Sequence, residues 1–211
     1  MNARSFDLAD RLLGEIDRAI KVLSTPARPS RAASPALGVP LEEAQRAESA
    51  RLMRVNHSGE VAAQALYQGQ ALTADDPAIS AAMRHAAAEE NDHLAWCELR
   101  LKELGGRTSV LNPLWYAGSF AIGALAGALG SGTSLGFVAE TERQVESHLR
   151  GHMNRLGGAD RRSVAILEQM THDEMAHGAK ATSLGGKELP LPVQTAMRLT
   201  SRLMTIGSYW L

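Results

Sequence analysis

Two short segments constrain this chain more than anything else in it: Glu89-Glu90-Asn91-Asp92-His93 and Asp173-Glu174-Met175-Ala176-His177. Each is an acidic residue followed by Glu-x-x-His. On an α-helix, positions i and i+3 share a face, so the glutamate and the imidazole of each segment can grip one metal ion together. The 211 residues contain 15 glutamates and 7 histidines. Chance then supplies about half a Glu-x-x-His per chain, and two copies with an acid before each in roughly one chain in a thousand. A fold that uses both copies must be helical at both and must turn the two helices toward each other.

The rest of the sequence supports helices at those places. Residues 5–24 read as an amphipathic helix with Leu12, Ile16, Ala19, Ile20 and Leu23 on one face. Residues 25–40 contain four prolines and many small residues, which marks a linker between an N-terminal unit, 1–24, and a main domain, 41–211. A proline-free helical pattern runs from Leu41 to about Thr73. Asp76-Pro77 then supplies a cap and a first-turn proline for a helix reaching Leu104, which Gly105-Gly106 ends. Asn112-Pro113 repeats the start signal. Further helices are expected through Glu142 to Leu156, from Asp160 to Leu184, and over Pro192–Trp210, the last amphipathic. No strand pair is evident, so the expected class is all-α, with four long core helices and additions at both ends.

A helical bundle holds two metals with one Glu from each of two helices and Glu-x-x-His from each of two others. Upstream of Glu90 stands Glu60, 30 residues away, and upstream of Glu174 stands Glu142, 32 residues away. Glu140 and Glu146 are rivals to Glu142. Glu140 points about 200° away around the helix, while Glu146 shares the face one turn on and gives a less similar gap. The expected ligands are therefore Glu60, Glu90, His93, Glu142, Glu174 and His177, with Glu90 and Glu174 bridging. Carboxylates and imidazoles with open positions suit iron or manganese better than zinc. Glu89 and Asp173 are expected to hold imidazole N–H groups of the facing motif. His57, His85, His148, His152 and His172 lack the upstream Glu and are read as structural or surface, with His57 and His148 the nearest to lining the site.

Composition closes off other functions. The net charge of −1 offers no field for nucleic acid, and aromatics at 4% are too few for a stacking platform. One cysteine, Cys97, excludes a disulfide within the chain and Cys-rich metal sites, fits a reducing compartment, and is read as a structural thiol. Asp7, Asp10, Glu15 and Asp17 interrupt any signal-peptide core, so export is not expected. Thr108–Ala139 carries no charge but contains Pro113 and six glycines. It is read as two helical pieces broken near Gly130-Ser131-Gly132, with Gly123-x-x-x-Gly127 and Gly132-x-x-x-Gly136 permitting close helix contact. With the last helix, it suggests a membrane or partner surface.

The stretches RVNHSGEVAAQALYQGQ, EENDHLAW, NPLWYAGSFAIGALAG, FVAETERQVESHL and HDEMAHG, in this order between Leu52 and Gly178, resemble the demethoxyubiquinone hydroxylase family of ubiquinone biosynthesis. The resemblance implies a ferritin-like bundle with a non-haem di-iron centre, two Fe ions held by the six residues above. It also implies hydroxylation of a polyprenyl demethoxyquinol ring with O2. A lipid-soluble substrate implies a peripheral position on the cytoplasmic side of the cell membrane, and Thr108–Ala139 is the candidate entrance. A homo-oligomer or an accessory ubiquinone-biosynthesis protein is open as a further partner. The alternatives are a rubrerythrin-like peroxide or O2 reductase, a radical-generating protein using Tyr67, an iron-handling protein, and a metal-free membrane-bound interaction module. The lone cysteine weighs against the first.

Overall fold

A computed structural model describes residues 8–33 and 38–211; the side chains of Leu8, Ala9, Arg11 and Leu12 also lie outside the described set. The expected start of the first helix at residue 5, and Leu12 as part of its apolar face, therefore fall outside it. Among the described residues there are seven helices and no strand: α1 (Leu8–Ser24), α2 (Glu43–Thr73), α3 (Pro77–Glu103), α4 (Asn112–Ala128), α5 (Ser131–Leu156), α6 (Arg161–Ser183) and α7 (Leu191–Trp210). The all-α expectation holds.

Local chemistry sets the boundaries. The Asp76 side chain accepts from Ala78 N–H just ahead of Pro77, and Asp160 accepts from Ser163 N–H, so both ExxH helices begin on a carboxylate cap. Gly105, Gly157 and Gly185 adopt positive φ at or beyond the ends of α3, α5 and α6. Gly130, with φ 93°, splits the uncharged stretch into α4 and the start of α5.

Two helical hairpins, α2/α3 and α5/α6, pack together to form the bundle. One core cluster joins Leu52, Met53, Trp96, Cys97, Leu149, Leu167 and Met170 from all four of these helices. A second, around Tyr67, Met83, Leu135 and Val138, closes the other end. The buried guanidinium of Arg100 bonds Ser163 Oγ and Asp160, fixing the end of α3 to the start of α6.

α4 lies across α2 at backbone contact. A Cβ on Gly123 would stand 2.1 Å from the carbonyl oxygen of Leu66, and one on Gly69 would stand 2.2 Å from that of Phe120. The Gly123-x-x-x-Gly127 expectation is thus met by α2. Gly132 and Gly136 differ from theirs. They face Lys187 in the connection after α6, whose N–H bonds Gly132 O, rather than another helix. The physical reason is the Gly185 turn, which throws the chain across the first turns of α5.

Residues 25–33 and 38–40 are not helical, as a proline-rich segment requires. Residues 27–31 are nevertheless hydrogen-bonded along the bundle rather than loose.

Candidate metal centre

The four core helices each present acid to one buried point. Glu60 comes from α2, Glu90 and His93 from α3, Glu142 from α5, and Glu174 and His177 from α6. All are buried except His177, which is half-buried. Their ligand atoms form two overlapping groups: Glu60, Glu90, His93 and Glu174, and Glu90, Glu142, Glu174 and His177, with the atoms of each group within 4.8 Å of one another. Glu90 and Glu174 belong to both. All six residues proposed from the sequence are brought together.

The two imidazoles are used alike. Each turns Nδ1 inward: His93 Nδ1 lies 2.9 Å from Glu90 Oε2 and 3.2 Å from Glu174 Oε1, and His177 Nδ1 lies 3.1 Å from Glu90 Oε1 and 3.5 Å from Glu174 Oε2. Each turns Nε2 outward to the acid preceding the facing motif. His93 Nε2 is 3.0 Å from Asp173 Oδ2, and His177 Nε2 is 3.3 Å from Glu89 Oε2. Of the rivals to Glu142, Glu140 turns to Arg143 and Gln144, and Glu146 pairs with Arg150.

The electrostatics show what the cluster lacks. Burial, reinforced by Glu174 and Glu90, pushes Glu60 up to about 8 even against His93. Burial and then Glu174 hold Glu142 well above the carboxylate range. Burial alone would lower both imidazoles, yet the surrounding carboxylates hold His93 far above its ordinary value and His177 at about 10. Glu90 resists burial and falls to about 2 because both imidazoles face it. Glu90 Oε1, Glu142 Oε1, Glu174 Oε2 and His177 Nδ1 are buried without a well-formed hydrogen bond. Inward-facing orphan oxygens around one point are what divalent cations would satisfy, and two such cations would cancel four carboxylates. The donor set therefore fits a pair of oxygen- and nitrogen-seeking metals.

Glu142 and Glu174 also line a cavity of about 500 Å³ between α5 and α6. Its walls include Gly136, Ala139, Gly178 and Leu189, with Arg143 and Lys187 also lining it.

His57 and His148 do not join the cluster, contrary to the reading that placed them nearest it. Buried His57 lies 3.3 Å from Asn112 Nδ2, and His148 stacks against His152 with ring centroids 4.0 Å apart. Burial lowers His57 and His148 to about 4 and His152 to about 2, so all three are neutral hydrogen-bonding groups. His152 Nδ1 meets Asn56 Oδ1 at 2.8 Å, and Ser58 Oγ donates to Asn112 at 2.8 Å. These contacts fix the α2 turn that delivers Glu60. Sequence reasoning missed them because the partners lie 54 to 96 residues apart. Tyr67 is fully buried, and its hydroxyl has no hydrogen-bond partner.

An all-helical bundle whose core holds a carboxylate–histidine cluster suited to metal ions defines the class of protein. Within that class, the chain belongs to the family described as ubiquinone biosynthesis protein COQ7, whose model matches residues 47–208. Curated relatives named 3-demethoxyubiquinol 3-hydroxylase align over nearly all of it. One from Bordetella parapertussis is 56% identical over 205 residues, covering 96% of this chain and 92% of its own. One from Ralstonia pickettii is 54% identical, covering 96% and 99%. One from Burkholderia lata is 55% identical, also covering 96% and 99%. The resemblance carried by the RVNHSGE and HDEMAHG segments is the family found.

Proposed function

We propose that this chain is a 3-demethoxyubiquinol 3-hydroxylase that uses two iron ions to place oxygen from O2 on the ring of a polyprenyl demethoxyquinol. The observation that carries this is the pair of overlapping buried ligand groups sharing Glu90 and Glu174, in a chain whose relatives bear that name. Glu60 and His93 would complete one iron position, Glu142 and His177 the other. Bound there, iron supplies the O2 activation that ring hydroxylation needs. The protein's part is to orient and shield. Asp173 and Glu89 fix the imidazole rings from behind. The apolar layers of Leu52, Trp96, Leu149 and Tyr67, Leu135, Val138 exclude water from either end. The cavity between α5 and α6 gives a ring a way to the carboxylates of Glu142 and Glu174. Of the uncharged Thr108–Ala139 stretch, Gly136 and Ala139 line it.

The same reading places the protein on the cytoplasmic face of the cell membrane, where a polyprenyl quinol is dissolved. No helix among the described residues is long and apolar enough to cross a membrane. Leu125 and Leu129 on α4, and Leu191, Leu199, Leu203 and Trp210 on α7, are all at least 60% exposed. Such side chains support a peripheral contact with lipid. Expression in a strain lacking this chain tests the whole reading. The expected result is iron in the purified protein together with hydroxylated quinone in the cells. Product without iron would reject the metal assignment, and iron without product would reject the activity.

A further inference from the structure

Residues 27–31 run across the outside of the His93 half of the cluster. Ala27 N–H donates to Glu98 Oε2 at 2.9 Å, and Asn91 Nδ2 donates to Arg28 O at 2.8 Å. Ser30 Oγ donates to Asp92 Oδ2 at 2.9 Å, and Arg31 Nε to the same oxygen at 3.0 Å. Arg31 Nη2 then reaches Asp173 Oδ2 at 2.8 Å, the oxygen that holds His93 Nε2. Arg31 O accepts the Trp96 indole N–H at 2.9 Å, and the guanidinium lies 5.3 Å from that ring's centroid. The other neighbour of Trp96 is His93, at 5.3 Å between centroids. His93 is thus fixed through Asp173 and flanked by Trp96, and Arg31 touches both.

The His177 half has no counterpart. Its outer carboxylate, Glu89, is 41% exposed and is tied to His85, which is 63% exposed. His177 itself is less buried than His93, and the carboxylates of its group line the cavity. An imidazole whose far nitrogen is held by an anchored carboxylate stays in the ligating orientation. Loss of such an outer partner costs metal affinity about tenfold to a hundredfold.

We propose that this strap is a working part of the metal centre, in which Arg31 acts through Asp173 as a positioning residue for His93 and makes the His93 position the tighter of two unequal metal positions. The inference rests on the two-metal reading above, although the strap lies outside residues 47–208 matched by the family model. Titration of metal-free full-length protein with Co2+, followed by visible ligand-field absorption, tests it. The wild type takes up cobalt in two steps. Arg31→Ala weakens the first step by about tenfold or more and leaves the second unchanged, and Arg31→Lys restores part of the loss. Glu98→Gln, which loosens the strap only at Ala27, leaves both steps alone. In a His177→Ala background, the surviving step is the tight one and still responds to Arg31.

Thermal melts of every variant separate positioning from unfolding. Two cobalt ions bound with affinities indifferent to Arg31, or both steps weakened equally, overturn the strap proposal alone. The same holds if Glu98→Gln reproduces the loss. No cobalt uptake by the wild type overturns the two-metal reading, and the strap proposal with it.

Discussion

Four carboxylates cannot all stay ionised in a buried space unless positive charge sits among them. The shared residues should therefore matter most. Replacing Glu90 or Glu174 by Ala removes a ligand from both groups, so iron per chain falls toward zero and product by about a hundredfold or more. Glu142→Ala touches only the His177 group and should leave about one iron. Glu146→Ala breaks only the Arg150 pair and leaves iron content unchanged. Metal analysis of the four purified proteins checks the order. The same groups fix a pH dependence for metal-free protein. Glu60 rises in the fold from 4.5 to about 8, so the proton it holds stabilises the fold most below 4.5, and that contribution is lost as pH rises through 8. His177, raised from 6.5 to about 10, acts in the same direction at higher pH. Thermal melts should show the metal-free protein weakening from about pH 5 to about pH 8, with metal removing the slope. A flat profile would mean that these carboxylates keep no extra protons. The six residues and their backing acids were legible because each stands at a fixed helical offset within its own segment. The Arg31–Asp173 and Asn56–His152 contacts were not, because neither partner's local pattern names the other.

At the scale of elements, the placing of α4 decides how α2 can present Glu60. Gly123 and Gly69 allow backbone contact that any side chain would break. Gly123→Val should destabilise the protein by ~3 kcal/mol or more, since its Cβ alone overlaps the Leu66 carbonyl. Gly118→Ala in the same helix meets nothing within 4 Å and should stabilise by ~0.5 kcal/mol. Urea denaturation of the two variants measures the contrast, and similar behaviour would mean that α4 is not held where described. Helix limits were readable from Asp76-Pro77, Asp160 and the glycine pairs, because capping is local chemistry. The role of Gly136 was not, since its neighbour Lys187 arrives by a turn 50 residues later.

For the whole molecule, function requires a lipid-soluble ring to meet a buried polar cluster. Exposed apolar residues on α4 and α7 supply the contact with lipid in this account, and α5 and α6 the opening. Leu125→Glu with Leu129→Glu should shift the protein from sedimented vesicles to the supernatant while leaving its iron content intact. Unchanged sedimentation would remove α4 from the membrane contact. Everything else depends on whether the six side chains hold two irons. The direct measurement is anomalous diffraction at the iron edge from crystals of the iron-loaded protein. The account predicts two peaks about 3.5–4 Å apart between Glu90 and Glu174, one beside His93 Nδ1 and one beside His177 Nδ1. A single peak, or iron bound away from these residues, would contradict it.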